Sequence, residues 1–220
     1  MSQIQLSESL SLGNEGPVAM CVGSIPLETE DRLMRAALTC IARVGVRKTT
    51  LDEVAREAGC ARATLYRYYP GKDAVLAAVV DREARCMASR VCVRAAGCDT
   101  FEDAVVELVL TSTHELLSHP ALTFVAKVEP EFFLRCLTFE GSTPFFHRTV
   151  ELFAPALERF LDRESAERVV ELLARLVLSY SFSPGDFFDF SREDSVRELV
   201  RHFVMPGFRS ENSDAQEVSR

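Results

Sequence analysis

From Leu27 onward, apolar residues recur at helical intervals in one segment after another, each bounded by glycine, proline or a capping residue, and no stretch shows the two-residue alternation of a strand. Leu33, Met34, Ala37, Leu38 and Ile41 set out a first helix over about 28–44, with Gly45 where a carboxyl-terminal cap would sit. Thr50-Leu51-Asp52-Glu53 is a capping box, in which the threonine accepts from the third helical amide while the glutamate reaches back. A short helix follows through Ala58 and stops at Gly59, and residues 62–69 (RATLYRYY) make a third. Pro70-Gly71 separates it from a fourth that begins near Lys72. Val75, Leu76, Val79, Val80, Met87 and Val91 keep that helix in phase to about Arg94, a rod of roughly 35 Å at about 1.5 Å per residue.

Thr100 with Asp103 caps a fifth helix to about Ser118, His119-Pro120 opens a short sixth, and Glu129-Pro130 opens another. A longer helix runs from Gly141–Pro144 to about Leu161, bent at Pro155. Asp162 starts a strong helix over about 163–182 with two apolar stripes. Ser191-Arg192-Glu193-Asp194 caps the last one, which Met205-Pro206-Gly207 stops. The expectation is an all-α protein, with residues 1–24 a mobile arm and 209–220 a tail.

With 47% apolar and 26% charged residues, the chain has ordinary globular composition and enough apolar mass for a core, which excludes collagen-like and disordered classes. It lacks the roughly 18 uncharged apolar residues of a membrane span, and residues 1–24 lack the basic start and apolar centre of a secretory signal. A cytoplasmic protein with no membrane partner is expected. The seven cysteines form no CxxC pair and are too dilute for a disulfide scaffold, so they read as free thiols.

Net charge is −8, yet segment 43–72 sets seven Arg and Lys against three acids, a local +4. An anionic partner would be met there and repelled elsewhere. Aromatic type divides the same way: all fifteen Phe lie at or beyond Phe101, whereas Tyr66, Tyr68 and Tyr69 sit in the basic segment. A tyrosine presents an apolar body to packing and a donor to a phosphate oxygen, so basic residues interleaved with Tyr suit a DNA backbone, with Tyr69 beside Pro70 expected to pack inside.

Two short helices joined by Ala58-Gly59-Cys60-Ala61 fit a helix-turn-helix, whose second helix enters the major groove. The run TTLDEVAREAGCARATLYRYYPGKDAVL, within residues 28–76, resembles the DNA-binding domain of the tetracycline-repressor (TetR) family of bacterial transcription regulators. The resemblance implies that Arg62, Ala63 and Arg67 face base edges, that Thr64, Tyr66, Tyr68 and Lys72 bind phosphates, and that Thr50 sits near the backbone at the start of the supporting helix. Elementary chemistry suits each role, since Arg pairs bidentately with guanine and a small Ala meets a thymine methyl. Where many members of the family carry Val-Ser before the recognition helix, this chain has Cys60-Ala61. That removes an N-cap worth about 1 kcal/mol, so ordering of the helix on DNA is expected.

The carboxyl-terminal part is similar to the family in helical layout, which implies an effector pocket among the middle helices and a dimer made by the last two long ones. The implied organisation is a helix-turn-helix DNA-binding domain over 25–72 followed by a larger helical effector-binding and dimerisation domain over 73–208. The candidate pocket residues are Phe124, Phe132, Phe133, Phe145, Phe146, His147, Phe153 and Tyr180, with Phe139 and Phe182 nearby, a lining suited to a lipophilic or aromatic small molecule. Candidate dimer residues are Val169, Leu173, Leu176, Val177, Val196, Leu199, Val200 and Phe203, because two apolar stripes need more partners than one chain of this size readily supplies.

No catalytic motif or metal-ligand spacing is apparent: His114, His119, His147 and His202 stand alone, and no cofactor is expected. The leading expectation is therefore a homodimeric regulator, a repressor released from a palindromic double-stranded DNA operator by a lipophilic effector. The alternative is a protein that sequesters a small molecule and keeps a vestigial DNA module.

Overall fold

A computed structural model describes residues 27–131, Leu134, Thr138 and 142–207. Among them are nine α-helices and no strand: α1 (Leu27–Lys48), α2 (Leu51–Glu57), α3 (Arg62–Tyr68), α4 (Lys72–Ala96), α5 (Phe101–Ser118), α6 (Pro120–Val128), α7 (Ser142–Phe153), α8 (Arg163–Phe182) and α9 (Glu193–Leu199). The fold is all-α. Residues 1–24 and 209–220, Phe132, Phe133, Phe139 and most of the helix expected after Glu129-Pro130 lie outside the described residues.

Two apolar cores are built at opposite ends of α4. In the first, Leu33, Met34, Ala37 and Cys40 of α1 close over Val54 and Ala58 of α2, Leu65 of α3, and Val75 and Val79 of α4. In the second, Ala88, Val91 and Ala95 of α4 pack with Val105 and Val109 of α5, the inner face of α8 and the apolar stripe of α9. A small third cluster joins them, with Ile41 and Val46 of α1 against Ala121 and Val125 of α6. Each fully buried Val or Leu contributes about 1.5–3 kcal/mol, so α4 is fixed at both ends.

Local signals account for most helix starts. Thr100 accepts from Asp103 N–H at 3.1 Å, Asp162 accepts from Ser165 N–H at 3.0 Å, and His119 Nδ1 accepts from Leu122 N–H at 3.2 Å with Pro120 beginning the helix. Gly45 closes the long run of α1 as expected, at φ 86° and ψ 169°, a conformation that suits glycine, and a short helical turn follows it to Lys48. Two expectations are corrected. Pro155 ends α7 rather than bending it, because proline has no N–H and its ring crowds the carbonyl four residues back; the chain continues as a 3-10 turn, Ala154–Ala156. Ser191 does not cap α9. Its hydroxyl donates to Asp189 at 2.6 Å, and the helix starts from Arg192 with no side-chain cap.

Polar clamps tie the helices together. Arg197 of α9 reaches Asp103 at 2.6 Å and Glu102 at 3.0 Å on α5, and Glu193 at 2.8 Å on its own helix. On α4, Glu83 accepts from Arg82 at 2.7 Å and lies 3.3 Å from Nε2 of His119. The His119 hydrogen bond, with Arg82 behind it, holds the Glu83 carboxyl below its ordinary range. A carboxyl depressed in the native state stabilises the fold above its unfolded value of about 4.3, and that contribution is lost as pH falls through the lower native value. Glu83→Gln should therefore lower the melting temperature by about 2–4 °C at pH 7, a loss near 1 kcal/mol. Melting curves against pH should show the gap closing below about pH 4.

Candidate nucleic-acid interface

The turn between α2 and α3 is set by backbone bonds. Gly59 at φ 61° follows Ala58, the C-cap of α2; its N–H donates to Arg56 O at 3.1 Å, and Cys60 N–H donates to Ala55 O at 3.0 Å. This pair of bonds is a Schellman closure, which needs a residue at ease with positive φ. At the other end of α2 the capping box is complete: Thr50 accepts from Glu53 N–H at 3.3 Å, and Glu53 accepts from Thr50 N–H at 3.0 Å. Those bonds hold the Glu53 carboxyl below its ordinary value.

α3 is formed with no side-chain cap at Ala61. Leu65 is its fully buried anchor, and Tyr69 just beyond it is also buried. The opposite face carries Arg62, Ala63, Tyr66 and Arg67 into solvent, with Thr64 and Tyr68 half-buried at its edges. One face therefore brings together six of the eight sequence-derived DNA residues. Thr50 is exposed at the head of α2, and Lys72 begins α4.

Every cation of this face has an internal partner. Arg62 binds Asp52 through Nε at 2.8 Å and a second nitrogen at 3.0 Å, and also donates to the Tyr66 hydroxyl at 3.3 Å. Arg67 donates to the Tyr68 hydroxyl at 2.8 Å and lies over its ring, and Lys72 donates to Arg47 O at 2.9 Å. Sequence reasoning missed Asp52 as the counter-ion of Arg62, although ten residues spanning two helices offer no local signal. Arg47, counted in the basic run, is exposed at the end of α1 and pairs with Glu131 at 3.6 Å.

Phe124 lines a small cavity of about 320 Å³ with Arg43, Arg47 and Glu129. Phe146 lies under the Arg175 guanidinium and meets Phe145 edge-on, Phe153 is in the second core, His147 is exposed, and Tyr180 stacks on Phe190 at 4.4 Å. A larger groove of about 980 Å³ follows α4 and α5 instead, lined by Arg90, Val93, Leu110, His114 and Leu117 among others.

Of the dimer candidates, Val169, Leu173, Val177, Val196, Leu199 and Val200 are buried in the chain's own second core, where α8 and α9 turn those stripes toward α5. Leu176 is half-buried and Phe203 is exposed. Leu172, absent from the expected set, is exposed on the outer face of α8, four residues from Leu176.

Among the described residues no group of three or more His, Cys, Asp and Glu could hold a metal, and no helix is long and apolar enough to cross a membrane. Cys40, Cys60, Cys86, Cys92 and Cys98 are free thiols, and burial pushes those of Cys40, Cys92 and Cys98 up.

Residues 33–79 match the sequence model of the bacterial regulatory proteins of the tetR family. An uncharacterized HTH-type transcriptional regulator of Mycobacterium tuberculosis, Rv1255c, is 25% identical over 180 residues, covering 80% of this chain and 83% of the relative. Among solved structures, the TetR family repressor AlkX from a Dietzia strain superposes with a TM-score of 0.62 at 19% identity, over 78% of this chain and 92% of its own. The regulator FadR from Bacillus subtilis, in complex with stearoyl-CoA, gives 0.52 at 17% identity, over 77% and 96%.

Removing Asp52 should free Arg62 and take one negative charge from the DNA-facing surface. Asp52→Asn is expected to bind duplex DNA about three- to tenfold more tightly at low salt, with the gain shrinking as salt rises. Fluorescence anisotropy on a labelled duplex reads this, and unchanged affinity would show that the ion pair does not compete with DNA.

Proposed function

We propose, from the match of residues 33–79 to the tetR-family model, that the chain is a homodimeric, ligand-responsive transcription regulator in the cytoplasm, a repressor released from a near-palindromic operator by a lipophilic or aromatic small molecule. The observation that carries this reading is the outward face of α3, where Arg62, Ala63, Tyr66 and Arg67 stand free of packing while Leu65 holds the helix down. In this reading residues 25–72 read DNA and residues 73–208 bind the effector and the second copy. Arg62, Ala63 and Arg67 face base edges. Thr64, Tyr66, Tyr68 and Lys72 hold phosphates, and Thr50 approaches the backbone from α2.

The second copy is proposed to seat on the outer face of α8 and the end of the last helix, where Leu172 and Phe203 are exposed and Leu176 is half-buried. Large exposed apolar side chains grouped on one surface mark interaction sites. Two-fold symmetry then presents two α3 helices to half-sites about 34–36 Å apart, or a multiple. Support for a lipophilic effector is the concentration of phenylalanine beyond Phe101, together with a fold that holds stearoyl-CoA in the Bacillus subtilis regulator. The effector needs only to prefer one separation of the recognition helices over the other.

Three measurements test the reading. A gel shift with the region upstream of its own gene should show a complex at low salt; no shift would favour sequestration with a vestigial module. Tyr66→Phe should weaken operator binding by about tenfold per subunit without altering the salt slope, whereas Lys72→Ala should also flatten that slope by about one per subunit. Leu172→Arg combined with Phe203→Glu should convert the dimer to a monomer in sedimentation, and an unchanged dimer would move the interface elsewhere.

A further inference from the structure

Glu129 lies at the carboxyl end of α6, and its side chain is only 5% exposed. A carboxylate so placed needs donors to offset its lost hydration. Its two oxygens accept from backbone rather than from a close cation: Val46 N–H donates to Oε2 at 3.0 Å, and Arg47 N–H donates to Oε1 at 3.0 Å. The Arg47 guanidinium is 3.9 Å away and 70% exposed, so it adds little.

These two amides belong to the turn after Gly45, where the break in α1 leaves them without helical acceptors. A Cβ at Gly45 would stand 2.6 Å from Oε1 of Glu129, so the carboxylate seats only because that position has no side chain. The same turn is held from two other directions. Thr49 donates to Gly45 O through its N–H and its hydroxyl, and Lys72 at the start of α4 donates to Arg47 O. The carboxylate of α6 thus grips, across 83 residues of sequence, the segment that leads into the Thr50 cap and bears on Lys72.

We propose that Glu129 is a positioning residue for DNA reading: it fixes the angle of the helix-turn-helix on the carboxyl-terminal helices, and so the separation of the two α3 helices in a dimer. Among the described residues, the module meets the rest of the chain through α4, the small cluster of Ile41, Val46, Ala121 and Val125, the Arg82–Asp31 pair, the exposed Arg47–Glu131 pair and this clamp. Without the clamp, the α1–α6 side loosens and the module rocks about α4. Each half-site is still read, but the distance between half-sites is no longer enforced.

The proposal rests on the paired reading of DNA given above, and the experiment keeps the two apart. Random duplex selection with the full wild-type chain first defines the half-site and its preferred spacing. If no paired site emerges, the regulator reading falls, and this one with it. Affinities are then measured for a single half-site, for the paired site, and for paired sites lengthened or shortened by one base pair. Glu129→Gln should lose about tenfold or more of the preference for native spacing while half-site affinity and salt slope stay within about twofold. Glu131→Gln makes the same charge change on an exposed neighbour that also pairs with Arg47, and should behave as wild type. Gly45→Ala, which drives a Cβ into the carboxylate from the other side, should reproduce the loss. Spacing preference retained in Glu129→Gln, or an equal fall in half-site and paired-site affinity, would overturn the proposal. So would fast amide exchange at Val46 and Arg47 in the wild-type chain, a measurement that needs no variant to fold.

Discussion

A helix buried at its two ends in two different cores cannot move at one end without moving at the other, and α4 is such a helix. Its first turns hold Val75 and Val79 against the DNA-facing module, and its later turns hold Ala88, Val91 and Ala95 against the body. Twenty-five residues at about 1.5 Å each span roughly 37 Å, and no proline interrupts them. A small tilt at the body end becomes a displacement of several ångströms at Lys72. The remaining contacts between module and body decide whether that displacement is passed on as a rigid swing or absorbed as a wobble. Among the described residues they include a small apolar cluster, the Arg82–Asp31 and Arg47–Glu131 pairs and one buried carboxylate.

The interface in its unbound state is satisfied internally. Arg62 is held by Asp52, Arg67 by Tyr68 and Lys72 by a carbonyl of α1, so in the proposed DNA complex each would exchange a protein partner for a phosphate or a base edge. Exchange of this kind lowers affinity for DNA in general, because an indifferent phosphate array offers little more than what is given up. It penalises a matched site less, since a bidentate contact to guanine is worth about 1–3 kcal/mol of discrimination. In a chain of net charge −8, that arrangement limits adhesion to bulk DNA.

What could be read in the sequence is what local chemistry dictates. The capping box at Thr50, the glycine closure at Gly59 and the proline-begun α6 each depend on residues within a few positions of one another, and each formed as their spacing required. The inward turn of Leu65 and the outward turn of Arg62, Tyr66 and Arg67 follow from helical period alone. Ser191 shows where local reading fails: Asp189, two residues back, competes for the hydroxyl that the capping pattern needed. Glu129 lay beyond reach altogether. As half of a Glu-Pro pair it signals the start of a helix, and nothing nearby in sequence marks it as an acceptor for amides on α1. Periodicity also says that a stripe is buried without saying by what. Val169, Leu173 and Val177 show the same pattern whether their cover is the chain's own α5 or a second subunit.

That last ambiguity bears on how a ligand could act. α8 commits one face to its own core, leaves Leu172 exposed on the other and carries Leu176 half-buried between them, so the two faces share one backbone. In the proposed dimer, any repacking of the core that shifts α8 must shift the seat of the second copy as well, because close-packed interiors transmit displacement rather than dissipate it. By symmetry the partner's α8 presses back in the same way. A ligand held by one subunit then biases the geometry of both, and the separation of the two α3 helices responds as one variable. The coupling required is modest, since a ligand that prefers one separation by about 2.7 kcal/mol changes operator affinity about a hundredfold. A preference of that size is within the range of a few apolar contacts made in one arrangement and lost in the other.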